Sequence, residues 1–214
     1  MELLLVRHAL PVRVDNSMTG EKADPWLSDL GREQAEALAS WLASKYSGFP
    51  PAEVVNLIYT SQCIRARQTA EIIAGPLGAD VRVEEGLNEY DAGEAQYIPV
   101  EELKAKRDQR WVELRSNTAI PEAESFSREV VSSVERIISA HPGQKIVAVC
   151  HGGTIGAYMA HLLGIDRILF YEAIYTSVNR VLAASTGERS VVSLNEIAHL
   201  KVARVPIYRP ESLE

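Results

Sequence analysis

Two short apolar segments, far apart in the chain, both end at a histidine. Residues 3–8 close on Arg-His, and residues 146–153 close on His-Gly-Gly. Each apolar run is short, rich in leucine or β-branched residues and bounded by turn-forming residues, which is typical of a strand buried on both faces of a parallel sheet. Ligands of open α/β sheets bind at the carboxyl ends of strands. The sequence therefore predicts that His8 and His151 face each other across one crevice.

Strand-like and helix-like patterns alternate through most of the chain. The alternation favours an α/β fold, a three-layer α/β/α sandwich with a mostly parallel central sheet. Ser61 is predicted to be the N-cap of the second helix and Gly164 the C-cap of a later one. Helices are expected at about 28–46, 62–74, 125–140 and 154–163, strands at 54–60 and 81–83, and a closing hairpin at 178–184 and 191–194.

A chain of 214 residues suits one large domain that carries an insertion. We expect a single catalytic domain over residues 1–200 and a weakly ordered C-terminal tail over 201–214. The insertion covers about residues 91–124 and includes a charged helix at 100–114. Two interpretations of it stay open: a solvated helix, or a lid over the crevice that selects the substrate.

Composition and charge exclude several classes of function. The formal net charge of −7 argues against a broad nucleic-acid surface, which needs a basic footprint. Cys63 and Cys150 form no C-x-x-C pair, so neither a disulfide scaffold nor a thiolate zinc site is indicated. The N-terminal apolar run is too short for a signal peptide or a membrane span. We therefore expect a cytoplasmic protein with no membrane partner.

Four chemically active segments follow predicted strands and are expected at the same edge of the sheet. They contain Arg7 with His8, Arg65, Glu89, and His151 followed by Gly152 and Gly153. Helix N-termini offer free N–H groups to an anion, and arginine guanidinium groups match phosphate oxygens. Hydrolysis of a phosphate monoester is extremely slow without a catalyst, so clustered arginines, histidines and a covalent step are a plausible source of its acceleration.

At these residues the sequence resembles the histidine phosphatase superfamily, which includes phosphoglycerate mutases and many small-molecule phosphatases. Five segments over about residues 1–195 match its motifs in order. They are Leu5-Val6-Arg7-His8, Leu27-Ser28-x-x-Gly31-x-x-Gln34-Ala35, Thr60-Ser61-x-x-x-Arg65-Ala66-x-Gln68-Thr69-Ala70, Leu87-x-Glu89 and Val149-x-His151-Gly152-Gly153.

The resemblance implies a phosphoglycerate mutase-like fold and a metal-independent phosphohydrolase that acts on small phosphate monoesters. His8 would attack phosphorus and become phosphohistidine, and Glu89 would protonate the leaving oxygen and then activate water. Arg7, Arg65 and His151 would hold the phosphoryl oxygens, with Gly152 beside them. His151 is expected to work best when protonated, a state that the charge of the phosphate should favour. No cofactor or metal is implied, and a homodimer is an open expectation because dimers are common among relatives.

Two departures from the family pattern bear on this interpretation. Family members usually carry glycine after the nucleophilic histidine, whereas this chain has Ala9. Alanine is adequate there if the backbone does not need a positive φ. The chain also lacks the Trp-Asn pairing and the Gly-containing run after the glutamate that mutases usually carry. This favours a phosphatase over a mutase.

Two alternatives remain open at the level of sequence. One is a phosphoglycerate mutase-type phosphotransferase, and the other is a non-catalytic regulatory module that binds phosphate. The chain has no G-x-S-x-G, Walker A or G-x-G-x-x-G motif, which argues against esterase and nucleotide-binding classes. Two histidines without nearby carboxylate ligands make a poor metal site.

Overall fold

The computed structural model describes residues 1–44, 55–114, 120 and 122–209. Its apolar segments form a six-stranded sheet in the order β4-β3-β6-β1-β7-β8. β1, β3, β4 and β6 are parallel, and β7 and β8 form an antiparallel hairpin at one edge. The strands are β1 (Glu2–Arg7), β2 (Val14–Asp15), β3 (Leu57–Thr60), β4 (Asp80–Val83), β5 (Gln96–Tyr97), β6 (Lys145–Cys150), β7 (Val178–Ala183) and β8 (Arg189–Glu196); β2 and β5 pair in a separate small sheet.

Helices cover both faces of the sheet because the middle residues of its two central strands, β1 and β6, are apolar on both faces. Along β1, Leu4 and Val6 pack into the cluster of α1 and α2, and Leu3 and Leu5 pack into that of α5 and α6. This confirms the three-layer sandwich. The helices are α1 (Asp29–Leu42), α2 (Ile64–Leu77), α3 (Val100–Ala105), α4 (Gln109–Leu114), α5 (Ala123–Ala140), α6 (Gly152–Leu163) and α7 (Ala198–Ala203), with a 3-10 turn at Glu85–Leu87.

Helix ends differ from the sequence predictions near the sheet edge. Ser28 caps α1 as expected, and Gly164 ends α6 in the left-handed region with φ 65°. The prediction that Ser61 caps α2 is wrong, because that helix begins at Ile64 with Cys63 as its N-cap. α6 begins two residues earlier than predicted, directly after His151. The predicted parts of the first helix and second strand that fall in 45–54 lie outside the described residues.

The insertion contains two short helices where one was predicted. α3 ends at Ala105 and α4 begins at Gln109, and Arg107 lies between them with φ 53°. A left-handed residue cannot continue an α-helix, so the charged pattern over 100–114 breaks there. Residues 115–119 and 121 lie outside the described part of the chain.

The expectation of weak order after Lys201 is wrong for residues 201–209. α7 spans Lys201, and Val205 and Tyr208 pack against a buried cluster that contains Leu10 and Tyr175. Gln34 Nε2 donates hydrogen bonds to the carbonyls of residues 206 and 207, at 3.0 and 2.9 Å. Residues 210–214 are outside the described ranges. Within those ranges, no helix has the length and apolar character needed to cross a membrane.

Candidate active site

A cavity of about 400 Å³ opens at the carboxyl edge of the parallel strands. The predicted residues Arg7, His8, Arg65, Glu89 and Gly152 all line it. They come together because β1 and β6 are adjacent parallel strands and α2 follows the neighbouring strand β3. His151 is not among the lining residues. Its ring lies beside His8, with the two ring centroids 5.0 Å apart.

The hydrogen bonds of His8 determine its tautomer. Nδ1 lies 2.8 Å from the carbonyl oxygen of Ala9, which can only accept, so Nδ1 carries the proton. On the other side of the ring, Arg65 Nε donates to Nε2 at 3.3 Å. A guanidinium can only donate, so Nε2 presents a lone pair. The ring nitrogen next to the arginine is therefore the one that could act as a nucleophile.

His8 is also held in its neutral form. Burial lowers the pKa of His8 well below its usual value of 6.5, and the positive charges of Arg65 and Arg7 lower it further. The hydrogen bond to Ala9 opposes this shift but does not reverse it. An imidazole with a low pKa keeps its lone pair at neutral pH, as nucleophilic attack requires.

Arg7 is a buried cation whose Nε–H remains available to a ligand. Its Nη1 donates to the carbonyl oxygen of Ala173 at 2.6 Å, and its guanidinium carbon lies 3.9 Å from the centre of the Tyr175 ring. Burial disfavours its charge, but Tyr175 and Glu101 among other groups raise the pKa of Arg7 overall. Its Nε is buried and has no hydrogen-bond partner among the described residues. Such a donor is available to an oxyanion in the cavity.

Arg65 lies between His8 and two acidic side chains. Only 2% of its side chain is exposed, and it lies 4.6 Å from the centre of the Tyr97 ring. Its two terminal nitrogens approach Asp24 at 4.0 Å and Asp91 at 3.7 Å. These ion pairs are long, so they leave the guanidinium available for a more compact anion such as phosphate.

Glu89 is a carboxyl group that can exchange a proton near neutral pH. Its Oε2 accepts from Gly153 N at 2.8 Å and its Oε1 accepts from Tyr90 N at 3.1 Å. These bonds and Arg65 favour the ionised form, but burial and the nearby charge of Asp91 raise the pKa of Glu89 to about 7. A carboxyl with that pKa is suited to general acid and base catalysis.

Gly153 is required by this arrangement. A Cβ atom at Gly153 would lie 2.3 Å from Glu89 Oε1 and 2.7 Å from the Tyr90 ring. At Gly152 the nearest atom to such a Cβ would be Arg7 Nε, at 3.8 Å. The second glycine of the pair therefore makes room for the glutamate, and the first does not.

A hydrogen bond with a serine fixes the ring of His151. Ser61 Oγ lies 2.7 Å from His151 Nε2, and Nδ1 is buried without a hydrogen-bond partner among the described residues. Burial, Arg65, His8 and Arg7 lower the pKa of His151 well below 6.5. The expected protonation of His151 therefore depends on the negative charge of a phosphate, because two arginines already supply positive charge there.

The comparisons with known proteins agree with this geometry. A model of the histidine phosphatase superfamily (branch 1) matches residues 3–197. The chain belongs to this superfamily. The resemblance predicted from its motifs is thereby confirmed, and the chain is classed as an enzyme of the phosphatase type.

Relatives of this histidine phosphatase include proteins named as phosphatases and proteins named as phosphoglycerate mutase-like. Phosphoserine phosphatase 1 of Hydrogenobacter thermophilus is 28% identical over 207 residues, which cover 94% of this chain and 94% of the relative. Phosphoglycerate mutase-like protein 4 of Arabidopsis thaliana is 29% identical over 214 residues, which cover 94% of this chain and 87% of the relative. A mycobacterial glucosyl-3-phosphoglycerate phosphatase has a similar structure, with a TM-score of 0.68 and 22% identity over 92% of this chain and 99% of that one. At that identity the likeness shows the fold, which is the predicted phosphoglycerate mutase-like one.

This histidine phosphatase has alanine after His8, where its family usually has glycine. Ala9 is not among the described residues with positive φ, so it needs no glycine. Its side chain is fully buried and packs with Leu27 and Ala35. The methyl group thus contributes to the packing beneath the site and blocks nothing.

Several supporting residues were not singled out from the sequence. Thr69 Oγ1 accepts from Ala9 N at 3.0 Å and donates to the Arg65 carbonyl at 2.7 Å. Its hydroxyl therefore connects the loop after β1 with α2. Tyr97 and Asp91 come from the insertion and meet Arg65 only through the fold. Thr69 lies within the motif at residues 60–70, and its spacing of four from Arg65 indicates that the two residues share one face of a helix. The sequence of the insertion gives no comparable indication for Tyr97 or Asp91. In the described part of the chain, no group of His, Cys, Asp or Glu side chains could hold a metal ion.

Proposed function

We propose that this protein is a phosphohydrolase that cleaves small-molecule phosphate monoesters through a phosphohistidine intermediate on His8. The observation that carries the proposal is the pairing of a neutral His8, which has its lone pair on Nε2, with a Glu89 whose pKa is about 7. Both groups line one cavity together with two arginines. A nucleophile and a proton donor are thus ready at the same pH.

In the first half of the reaction, Nε2 of His8 attacks phosphorus while the bond from phosphorus to the ester oxygen breaks. Protonated Glu89 gives its proton to the leaving oxygen, which departs as an alcohol. Arg7 and Arg65 hold the non-bridging oxygens, where charge is spread during transfer. The unpaired Nε of Arg7 supports this role, and the backbone at Gly152 lies beside it.

In the second half, ionised Glu89 takes a proton from water and the resulting oxygen attacks phosphorus. The phosphorus–nitrogen bond breaks, inorganic phosphate is released, and His8 regains its neutral form. The negative charge of a bound phosphate raises the pKa of a neighbouring histidine, so we expect His151 to gain a proton only when the site is occupied. It would then donate to a phosphoryl oxygen.

The proposal includes a metal-independent reaction on a small phosphorylated substrate, in the cytoplasm, with the segment at 91–124 acting as a lid. Support for the lid comes from Asp91, Tyr97 and Trp111, which line the cavity. Both described cysteines are free and buried, as suits a reducing compartment. We also extend the proposal to a homodimer, which sedimentation of the purified protein would measure.

The test compares wild type with His8→Ala on a panel of phosphate esters, with and without a chelator, by measuring released phosphate. Release by wild type alone, unaffected by chelator, supports the proposal. Transfer of the phosphoryl group to a second hydroxyl would indicate a mutase instead. Binding of phosphate esters without turnover would indicate a regulatory module, and equal release by both proteins would remove His8 from its role.

A further inference from the structure

The cavity has two chemically different halves. Its inner half carries the charged groups around His8, as described above. Its outer half is built from apolar and aromatic side chains on two separate segments. The insertion contributes Ile98 and Trp111, and the loop after α6 contributes Leu169, Phe170 and Tyr171.

The aromatic side chains of the outer half support one another. The rings of Phe170 and Tyr171 lie 4.7 Å apart at an angle of 50°. Trp111 is held by Lys104, whose ammonium nitrogen lies 4.7 Å from the centre of the indole. Lys104 in turn pairs with Glu172 on the opposite segment, so the two aromatic walls are joined across the cavity. The outer half is therefore an apolar chamber with two tied walls.

The charges of the outer half do not suit an anionic leaving group. Asp91 and Glu172 line the cavity as ion pairs with Arg65 and Lys104, so these groups offer a carboxylate no net positive charge. Lys104 is already paired with Glu172. Among the described lining residues, Arg167 is the one cation that remains beyond Arg7 and Arg65, and it is exposed to solvent.

We propose that the leaving group of the substrate is a neutral alcohol with an apolar ring, seated between Trp111 and Phe170. This inference takes its chemistry from the proposed phosphatase function and names the substrate class of the same site. A cavity of about 400 Å³ is within the range that binds such ligands. Phospho-acids of three carbons, which have a carboxylate and no ring, would leave these walls unused.

The relative strengths of the two interactions decide between an apolar and an anionic leaving group. Burying an aromatic ring improves binding by about tenfold to a hundredfold. An ion pair with a solvent-exposed arginine contributes less than about fivefold, because water and salt screen it. A ring in the outer half therefore outweighs a carboxylate at Arg167.

The first experiment compares kcat/KM for benzyl phosphate and phosphoserine, which are both esters of primary alcohols. We expect benzyl phosphate to be preferred by about tenfold or more. An equal or higher value for phosphoserine would overturn the inference. Should Arg167→Gln then abolish that preference, the outer half would be a carboxylate site.

A pair of tryptophan variants tests where the selectivity arises. Trp111→Ala should lower kcat/KM for benzyl phosphate by about tenfold more than it lowers that for phosphoserine. Trp26→Ala is the matched control, because Trp26 is 55% exposed and does not line the cavity. An equal fall for both esters in Trp111→Ala would contradict the inference.

Binding of non-hydrolysable analogues separates the inference from the proposed function. Calorimetry on the wild-type protein would compare benzylphosphonate with the phosphonate analogue of phosphoserine. Tighter binding of benzylphosphonate supports the apolar chamber even if no ester is hydrolysed, a result in which only the proposed function fails. Tighter or equal binding of the phosphoserine analogue would overturn the inference whether or not esters are hydrolysed.

Discussion

At the scale of single residues, one physical cause shifts the pKa of both proposed reacting groups, His8 and Glu89. Burial lowers the pKa of His8 because its charged form is cationic, and it raises the pKa of Glu89 because its charged form is anionic. Two arginines strengthen the first effect, and Asp91 strengthens the second. The same low-dielectric cavity therefore supplies a free base and a protonated acid at one pH.

The pH dependence of the reaction follows from these directions. His8 stays neutral well below pH 6.5, whereas Glu89 loses its proton above about pH 7. We expect kcat/KM for the dianion of an alkyl phosphate to be level near pH 6 and to fall about tenfold per pH unit well above 7. Glu89→Gln should have low activity without that fall. A fall of the same shape in the variant would assign the titration to another group.

The two glycines after His151 give a second prediction. Gly153→Ala places a methyl group 2.3 Å from Glu89 Oε1, so the carboxyl must move. We expect kcat to fall by about a hundredfold or more, because displacement of a catalytic group by 1 Å has effects of that size. Steady-state kinetics measures this.

Gly152→Ala is the matched control for that prediction, since its added methyl group has no neighbour closer than 3.8 Å. Its loss of activity should be far smaller than that of Gly153→Ala. Equal losses in both variants would mean that backbone freedom, and not room for Glu89, is the reason for the second glycine.

The six predicted site residues were identified from motifs that follow predicted strands. The structure brings them together at one edge of the sheet, as expected for the carboxyl ends of parallel strands. Their partners could not be assigned in the same way. Ser61 was expected to cap a helix, but its hydroxyl bonds to His151, 90 residues away. Tyr97 packs on Arg65 only because β5 pairs with β2 beside the site. Contacts of this kind depend on tertiary packing, which local pattern does not encode.

At the scale of elements, α2 is the part that fixes the proposed nucleophile, His8. It carries Arg65 against the His8 ring, and one turn later it carries Thr69, whose hydroxyl connects the backbone of Ala9 with that of Arg65. The loop after β1 is thus tied to the helix by an arginine and a threonine four residues apart. Residues at that spacing lie on one face of a helix.

Thr69→Val tests this tie, because it keeps the shape and removes the hydroxyl. The buried N–H of Ala9 would lose its partner, and we expect a loss of about 1–3 kcal/mol in the free energy of unfolding, with a lower kcat. Denaturant unfolding and steady-state kinetics measure the two effects.

Thr60→Val is the control for Thr69→Val, since the Thr60 hydroxyl is buried and has no hydrogen-bond partner in the described structure. That substitution should be neutral or stabilising, because it removes an unsatisfied polar group. Similar destabilisation in both variants would show that volume or branching, and not the hydrogen bonds of Thr69, accounts for the loss.

Element types were predictable where periodicity was strong, as for the buried strands and α5. The boundaries of the helices were harder to predict. α6 begins at Gly152 although glycine is a poor helix former, because its first residues are bound by Glu89 and by tertiary packing. The break between α3 and α4 at Arg107 has no glycine or proline to mark it.

At the scale of the whole molecule, the C-terminal segment closes the floor beneath the site. Val205 and Tyr208 cover Leu10, Leu30 and Tyr175, and Tyr175 in turn lies under Arg7. Gln34 joins this segment to the loop after β1, since its Oε1 also accepts from Leu10 N at 3.0 Å. The segment after Lys201 is therefore part of the fold, contrary to the expectation of a weakly ordered tail.

Truncation after Arg204 should lower the melting temperature and reduce activity, because it exposes an apolar cluster next to the arginine. Thermal unfolding and phosphate release measure the two effects. A chain that ends at Arg209 keeps the contacts that Val205, Tyr208 and Gln34 make in this region and is the control. An unchanged melting temperature after the longer truncation would contradict a structural role for this segment.

The central claim is that His8 carries the phosphoryl group, and trapping of the phosphoenzyme tests it most directly. Glu89→Gln lacks the base for the second step, so brief reaction with an aryl phosphate, whose leaving group needs no acid, should let the intermediate accumulate. Denaturation without acid, proteolysis and mass spectrometry then locate the group. The account predicts phosphate on the peptide that contains His8 and none in Glu89→Gln combined with His8→Ala. Phosphate on another residue, or its absence from His8 while the ester is being cleaved, would contradict it.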